Sequence, residues 1–274
     1  MRRFSPAKVN LGLSVLGRRE DGYHELHTLF AALPLGDWLT LEPTPQPRRI
    51  ELTVQGADLP LEMDNLAYRA AWLYLEGAGW PGGVRLHLEK HLPIAAGLGG
   101  GSSNAAAALL GLAELYPAPL DLGSLARALG ADVPFFLRGG WAEAGGIGER
   151  LQPVEPLPLA LVLVNPGLAV RAAEAYRALR PEDYGPPLPL GAIRQALAAG
   201  LEPPWWNSLE ASVFRLYPGL AELAGHLRAL GLRGVLLSGS GSSFFGLAAD
   251  PEEARWLARK VQAALPQCWV RAVY

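Results

Sequence analysis

Three lysines, two methionines and one cysteine in 274 residues set several kinds of protein aside at once. A single cysteine, Cys268, cannot close an internal disulfide, so a reducing cytoplasm is the expected setting. Excess charge of either sign is missing too. A formal net charge of −2 gives nucleic acid or an anionic membrane surface no electrostatic reason to bind. No internal repeat is visible. Leu92–Ala113 is uncharged and long enough to cross a bilayer, but its Pro, Gly, Ser and Asn content suits a loop followed by a buried helix. The opening MRRFSPAKVNLGLSVLG sets an Arg pair before an apolar stretch, yet Lys8 and Asn10 interrupt it and no small-residue cleavage site follows. The expectation is a soluble protein with no nucleic-acid, membrane or obligate protein partner. Because arginine supplies nearly all the positive charge, Lys8, flanked by Ala7 and Val9, stands out.

What is present is apolar material: half of the residues, enough for one large or two medium cores. Strand-like runs appear at Leu11–Leu16, Trp38–Leu41, Ile50–Val54 and Val84–Glu89. Helical patterns cover Asn65–Gly77, Ser102–Tyr116 and Leu122–Leu129. The triple-proline stretch LQPVEPLPL, Leu151–Leu159, reads as a crossover, predicting domains at 1–152 and 153–274. Beyond it the pattern predicts a buried strand at Leu159–Val164 and helices at Ala172–Leu179, Gly191–Ala199 and Leu209–Leu230. Strands at Gly234–Leu237, Phe244–Leu247 and Trp269–Val273 surround a last helix at Pro251–Leu265. Two α+β domains in tandem fit this order.

The stretch HLPIAAGLGGGSSNAAAALLGLAEL, His91–Leu115, places a glycine cluster before a helix that is apolar nearly all round. Ser102, Ser103 and Asn104 are good N-cap residues, and a helix N-terminus offers unpaired N–H groups to an anion. Upstream glycines let further amides face the same anion, which predicts a polyphosphate cradle. The loop lacks the Lys of a Walker A motif, since Gly101 precedes Ser102, and has Ser102 where a dinucleotide fingerprint needs Gly. Asp121 has the spacing of that fingerprint but follows a helix, and Ser103 lacks the glycine of a hydrolase elbow. The plainer alternative is a loop that only lets the helix pack close to a strand.

PIAAGLGGGSSNAA resembles the ATP-binding motif of the GHMP small-molecule kinases, named for galactokinase, homoserine kinase, mevalonate kinase and phosphomevalonate kinase. SPAKVNLGLSVLGRREDGYHEL, Ser5–Leu26, is similar to their N-terminal motif, and GVLLSGSGSSFFG, Gly234–Gly246, to their C-terminal glycine loop. PAKVNL, GRREDGYHEL, DNL at Asp64–Leu66 and GADVPFF at Gly130–Phe136 look most like the branch acting on a cytidine diphosphate-linked methylerythritol. The resemblance runs from end to end. It implies a two-domain GHMP kinase fold, an N-terminal domain like the second domain of ribosomal protein S5 and a ferredoxin-like C-terminal domain.

Asp132, set against the apolar VPFFL, is costly as a carboxylate unless paired or used. Sequence alone leaves open whether it caps a short helix begun by Pro134 or takes a proton. The resemblance implies the second, with Asp132 as catalytic base and Lys8 offsetting charge. It also implies ATP contacts at Pro93, Ile94, Ala95, Ala96, Gly97, Leu98, Gly99, Gly100, Gly101, Ser102 and Ser103, with Asn65, otherwise a helix cap, near the adenine. Substrate contacts are implied for Asn10, which shares a strand face with Lys8 by period two, and for Tyr23, His24 and Tyr176 around the cytosine. Each of those aromatics could equally be core. Gly239, Ser240 and Gly241 would come up beside the phosphates, or form only a turn between strands. Arg171 and Ala172 stand where related enzymes have Ser and Thr, and Ser208 stands where many have Asp in Asn-Asp-Leu-Glu, so no chemistry is assigned to Asn207–Glu210. ATP brings Mg²⁺, for which Ser102 or Ser103 offers a hydroxyl, but no acidic cluster is evident and the metal ligands stay open. The expected activity is ATP-dependent phosphorylation of the 2-hydroxyl of that methylerythritol substrate. Another sugar-alcohol or mevalonate-type kinase, or a non-catalytic nucleotide-binding regulator, are the alternatives.

Overall fold

A computed structural model describes every residue from Met1 to Tyr274. It is α+β, as the sequence predicts, and its residues group into two units that interleave along the chain. The first comprises Met1–Ala7, Leu35–Ile94 and Gly99–Gly139; the second comprises Lys8–Pro34, Ala95–Leu98 and Gly140–Tyr274. The division falls inside two long strands, β1 (Arg2–Arg18) and β2 (His24–Thr44), and again inside the glycine loop. Only the apolar middles of these strands are legible in sequence. Ser5, Lys8, Asn10, Ser14, Thr28 and Asp37 are buried polar positions that interrupt the hydrophobic pattern.

The first unit adds β3 (Ile50–Gln55), α1 (Leu66–Ala78), β4 (Gly83–Glu89), α2 (Gly100–Leu115), α3 (Leu122–Leu129) and α4 (Val133–Arg138). Strand β4 runs parallel to β3, Ile50 opposite Val84, and antiparallel to the far half of β2, Trp38 opposite Glu89. Helix α2 packs against α1 and α4. Alanine lets it sit close to its neighbours, and Gly111 sits against Leu41: a Cβ there would lie 2.7 Å from Leu41 Cδ1, so that side chain would have to shift. Leu39, Leu41, Leu86, Leu88 and Leu109 are almost wholly buried, each contributing about 1.5–3 kcal/mol over an exposed side chain.

In the second unit the near half of β2 pairs antiparallel with β5 (Trp141–Gly145), Thr28 opposite Ala144, and β5 pairs with β6 (Arg150–Val154). There follow β7 (Ala160–Asn165), α5 (Ala172–Arg177), α6 (Leu190–Ala198), α7 (Leu209–Leu216), α8 (Pro218–Ala229), β8 (Arg233–Leu237), β9 (Phe244–Ala248), α9 (Pro251–Ala264) and β10 (Trp269–Val273). The sheet order β10-β7-β9-β8, antiparallel throughout, is the ferredoxin-like arrangement. Its core gathers Val162, Val164, Leu227, Phe244, Leu257 and Val261.

Three local expectations change. The start of LQPVEPLPL is strand β6, at the edge of its sheet, where proline is tolerated. The single helix expected at Leu209–Leu230 is two. Pro218 has no N–H to continue a helix and instead opens α8. Ser102, Ser103 and Asn104 do not cap α2: its N-cap is Gly99, at φ +69°, and the three lie within the helix. No helix is long and apolar enough to cross a membrane.

Candidate active site

The glycine loop presents its two sides of backbone differently. Its carbonyls are bonded: Ala95 O accepts from Val170 N at 3.3 Å, Ala96 O from Ser243 N at 3.1 Å and Leu98 O from Lys8 N at 2.9 Å. Gly97 O accepts from the Ser238 hydroxyl at 2.9 Å. The amides of Gly97, Leu98, Gly99, Gly100, Gly101 and Ser102 donate to nothing in the chain. A run of unbonded N–H groups leading into a helix start is the backbone arrangement that holds phosphate oxygens. Gly97 is obligatory here, since at φ +75° a Cβ would stand 2.0 Å from Ser238 O. Ala95, at φ +49°, takes a left-handed conformation unusual for a side chain.

In the first unit a buried network supports both ends of the loop. Asp37, fully buried, accepts from His91 N at 2.8 Å and Leu92 N at 2.9 Å on one oxygen. Its other oxygen pairs with the buried Lys90 ammonium and accepts from Asn104 Nδ2 at 3.0 Å. Asn104 Nδ2 also donates to Ser5 Oγ at 2.8 Å, and Ser5 donates to Ser103 Oγ at 2.8 Å. Sequence reading gave no role to Asp37 or Lys90 and took Asn104 for a helix cap. Asp37 carried the same signal as Asp132, a lone carboxylate between apolar runs, and Lys90 is one of only three lysines. The Ser103 hydroxyl is spent inside this network, whereas Ser102 has no side-chain partner in the chain. No group of three His, Cys, Asp or Glu side chains gathers to cage a metal ion.

Asp132 also belongs to the first unit. It occupies the N-cap position of α4 but makes no capping bond through its side chain, so the cap reading fails. Asn65 does cap α1, accepting from Ala67 N at 3.0 Å, and donates to Pro60 O at 3.0 Å.

In the second unit Lys8 and Asn10 are buried neighbours on one face of β1. Lys8 Nζ donates to Asn10 Oδ1 at 2.6 Å and lies 4.8 Å from the centre of the Phe30 ring. Asn10 Nδ2 donates to Thr28 Oγ1 at 2.8 Å, and Thr28 donates to Gly12 O at 2.6 Å. This relay fixes both ends of the Asn10 amide and aims the ammonium. Gly239–Ser240–Gly241 forms the turn between β8 and β9. A Cβ on Gly239 would be 3.3 Å from Asn10 Oδ1 and 3.7 Å from Lys8 Nζ, so this turn lies directly against the pair.

That turn is itself held from behind. Asn207 Nδ2 donates to Leu237 O at 2.8 Å and Gly239 O at 2.7 Å, and Glu210 accepts from Leu237 N at 2.9 Å. Leu13 N donates to Trp206 O at 2.8 Å and Ser208 N to Leu13 O at 2.8 Å, tying the segment to β1. The sequence offered no chemistry for Asn207–Glu210, and its work is positional.

The His24 and Tyr176 rings stack with centroids 5.5 Å apart, and Tyr184 meets His24 edge-on. Burial, with help from Arg18, lowers the His24 pKa, so the imidazole is neutral at neutral pH. Tyr23 is 61% exposed at the neighbouring turn. The Arg171 side chain is solvent-exposed and caps nothing.

The chain matches the description GHMP kinases N terminal domain over residues 65–140 and GHMP kinases C terminal over residues 190–267. It is 60% identical over 272 residues to a 4-diphosphocytidyl-2-C-methyl-D-erythritol kinase of Thermus thermophilus, covering 99% of this chain and 94% of that one. A protein of the same name from Deinococcus radiodurans is 52% identical, covering 98% and 91%. A crystal structure of 4-(cytidine 5'-diphospho)-2C-methyl-D-erythritol kinase superposes with a TM-score of 0.90 at 59% identity, covering 100% and 99%.

Proposed function

This chain belongs to the GHMP kinases, and on that premise we propose that it transfers the γ-phosphoryl group of ATP to the 2-hydroxyl of 4-diphosphocytidyl-2-C-methyl-D-erythritol. The reaction is a step of the non-mevalonate route to isoprenoid precursors, in a reducing cytoplasm. The observation that carries the reading is the row of unbonded amides from Gly97 to Ser102, in a chain 60% identical to a kinase of that name.

Phosphoryl transfer asks mainly for positioning and for charge compensation. The loop amides bind the phosphates, and Asn65 stands near the adenine end. Asp132, not used as a cap, takes the proton of the acceptor hydroxyl. Lys8, aimed by Asn10 and Thr28, holds Asp132 ionised and offsets the negative charge that develops on the acceptor oxygen. Tyr23, His24 and Tyr176 receive the cytosine, for which a neutral imidazole is both donor and acceptor. Mg²⁺ arrives with the nucleotide. No acidic cage is present to hold it; the Ser102 hydroxyl, which has no partner in the chain, would be the protein oxygen offered to it, while the Ser103 hydroxyl is engaged with Ser5. Such an ion would neutralise phosphate charge. Residues 1–152 form the ATP-binding and catalytic part in this reading and 153–274 the C-terminal part, the two family matches falling on either side.

The test is ADP release in a coupled assay, with this acceptor compared against homoserine, mevalonate and galactose. Turnover of the cytidine-linked acceptor alone is expected. Turnover of one of the others instead overturns the substrate and spares the family; ATP binding with no turnover of any acceptor points to a regulator.

A further inference from the structure

We propose that Asp37 is a positioning residue for the nucleotide cradle, one buried carboxylate that fixes where the glycine loop leaves β4 and where it enters α2. The inference rests on reading that loop as the phosphate site. Asp37 stands on β2, outside the three sequence motifs of the family resemblance. One of its oxygens takes the amides of His91 and Leu92, the residues at which the chain turns away from β4. The other takes Asn104, in the first turns of α2. The loop between Pro93 and Ser103 is therefore anchored at both ends to the same side chain.

The cation beside it completes the arrangement. Lys90 Nζ pairs with Asp37 and donates to Asn104 Oδ1 at 3.3 Å. It lies so close beneath the helix start that a Cβ on Gly100 would stand 3.2 Å from it. An ammonium at the N-terminus of a helix opposes the dipole unless an anion compensates it. Asp37 supplies that anion, so the buried ammonium does not destabilise the start of the helix. A buried ion pair is a weak source of stability, because an apolar pair of similar volume often does as well. Geometry and local charge are what it contributes here. Asn104, whose amide has both ends engaged, relays the position to Ser5 and through it to Ser103.

The experiment separates positioning from stability. D37L/K90M replaces the pair by apolar residues without changing net charge. Its thermal midpoint is expected to fall, because the His91, Leu92 and Asn104 donors lose their acceptor; in protein still folded at the assay temperature, binding of a non-hydrolysable ATP analogue, followed by calorimetry, weakens about tenfold or more and the acceptor KM stays put. Ser5→Ala removes one neutral partner of Asn104 and perturbs folding least; it is expected to raise the ATP KM about threefold, again without moving the acceptor KM. Parent-like analogue binding by a folded D37L/K90M, or equal shifts of both KM values in Ser5→Ala, overturns the role of Asp37 while leaving the proposed function standing. An unmutated protein that fails to bind the analogue removes both. If D37L/K90M does not fold, Ser5→Ala decides: an unmoved ATP KM refutes the proposal and a selective rise supports it.

Discussion

At the scale of single residues, the polar groups of this protein are held rather than merely placed. Lys8 has its charge directed by Asn10, whose amide is locked in turn by Thr28. Asp132 sits at a helix start without serving it. If Asp132 is the base, Asp132→Asn removes proton acceptance with almost no change of shape. Turnover should fall roughly 10²–10⁴-fold, the ordinary range for a general base, with analogue affinity unchanged. Retained turnover would return Asp132 to a structural role. His24→Ala tests the cytosine reading. The acceptor KM should rise while the ATP KM stays constant, because the ring stacks with Tyr176 and bonds to no part of the glycine loop. A parallel rise in both KM values would point to general loosening.

At the scale of elements, two glycine turns work as one device within the second unit. Ser238 and Ser243 hold the carbonyls of Gly97 and Ala96, which turns the amide side of the first loop outward. Asn207 and Glu210 hold β8 and its turn from the other side. Gly97→Ala cannot be absorbed, because the conformation is left-handed and the new methyl would overlap a backbone oxygen. A cost of about 1–3 kcal/mol for the strained backbone alone is expected, read as a lower denaturation midpoint together with weaker analogue binding. A variant as stable as the parent would mean that the loop rearranges freely. The glycine loop itself was legible from composition. The clamp behind it was not, since Asn207 and Glu210 act on residues about thirty positions away and no local periodicity marks them.

At the scale of the molecule, stability carries a pH signature from one of these supports. Burial raises the Glu210 carboxyl above its ordinary 4.5, against the opposing pull of the Leu237 amide and of Arg228. A native value above the unfolded one means that the stability tied to this group is complete below 4.5 and is lost as pH climbs through the native value. Glu210→Gln keeps an acceptor for Leu237 N–H and cannot ionise. Its gain in Tm over the parent should be close to zero near about pH 4 and larger near about pH 8; a gain that shrinks with rising pH would contradict the assignment.

The α+β class, most helix and strand positions, the glycine loop before α2 and the family resemblance were all determined by the sequence itself. These depend on local spacing, and hydrophobic period, glycine content and motif order are local quantities. Tertiary structure decided what spacing does not encode: that β1 and β2 run far beyond their apolar middles, that Ser103 faces a buried network while Ser102 does not, and that Asp37 and Asn207 hold the two glycine turns. Buried polar residues look out of place along the chain because their partners are distant in it. Only folding brings donor and acceptor within bonding reach, and there a lone carboxylate or amide becomes a support.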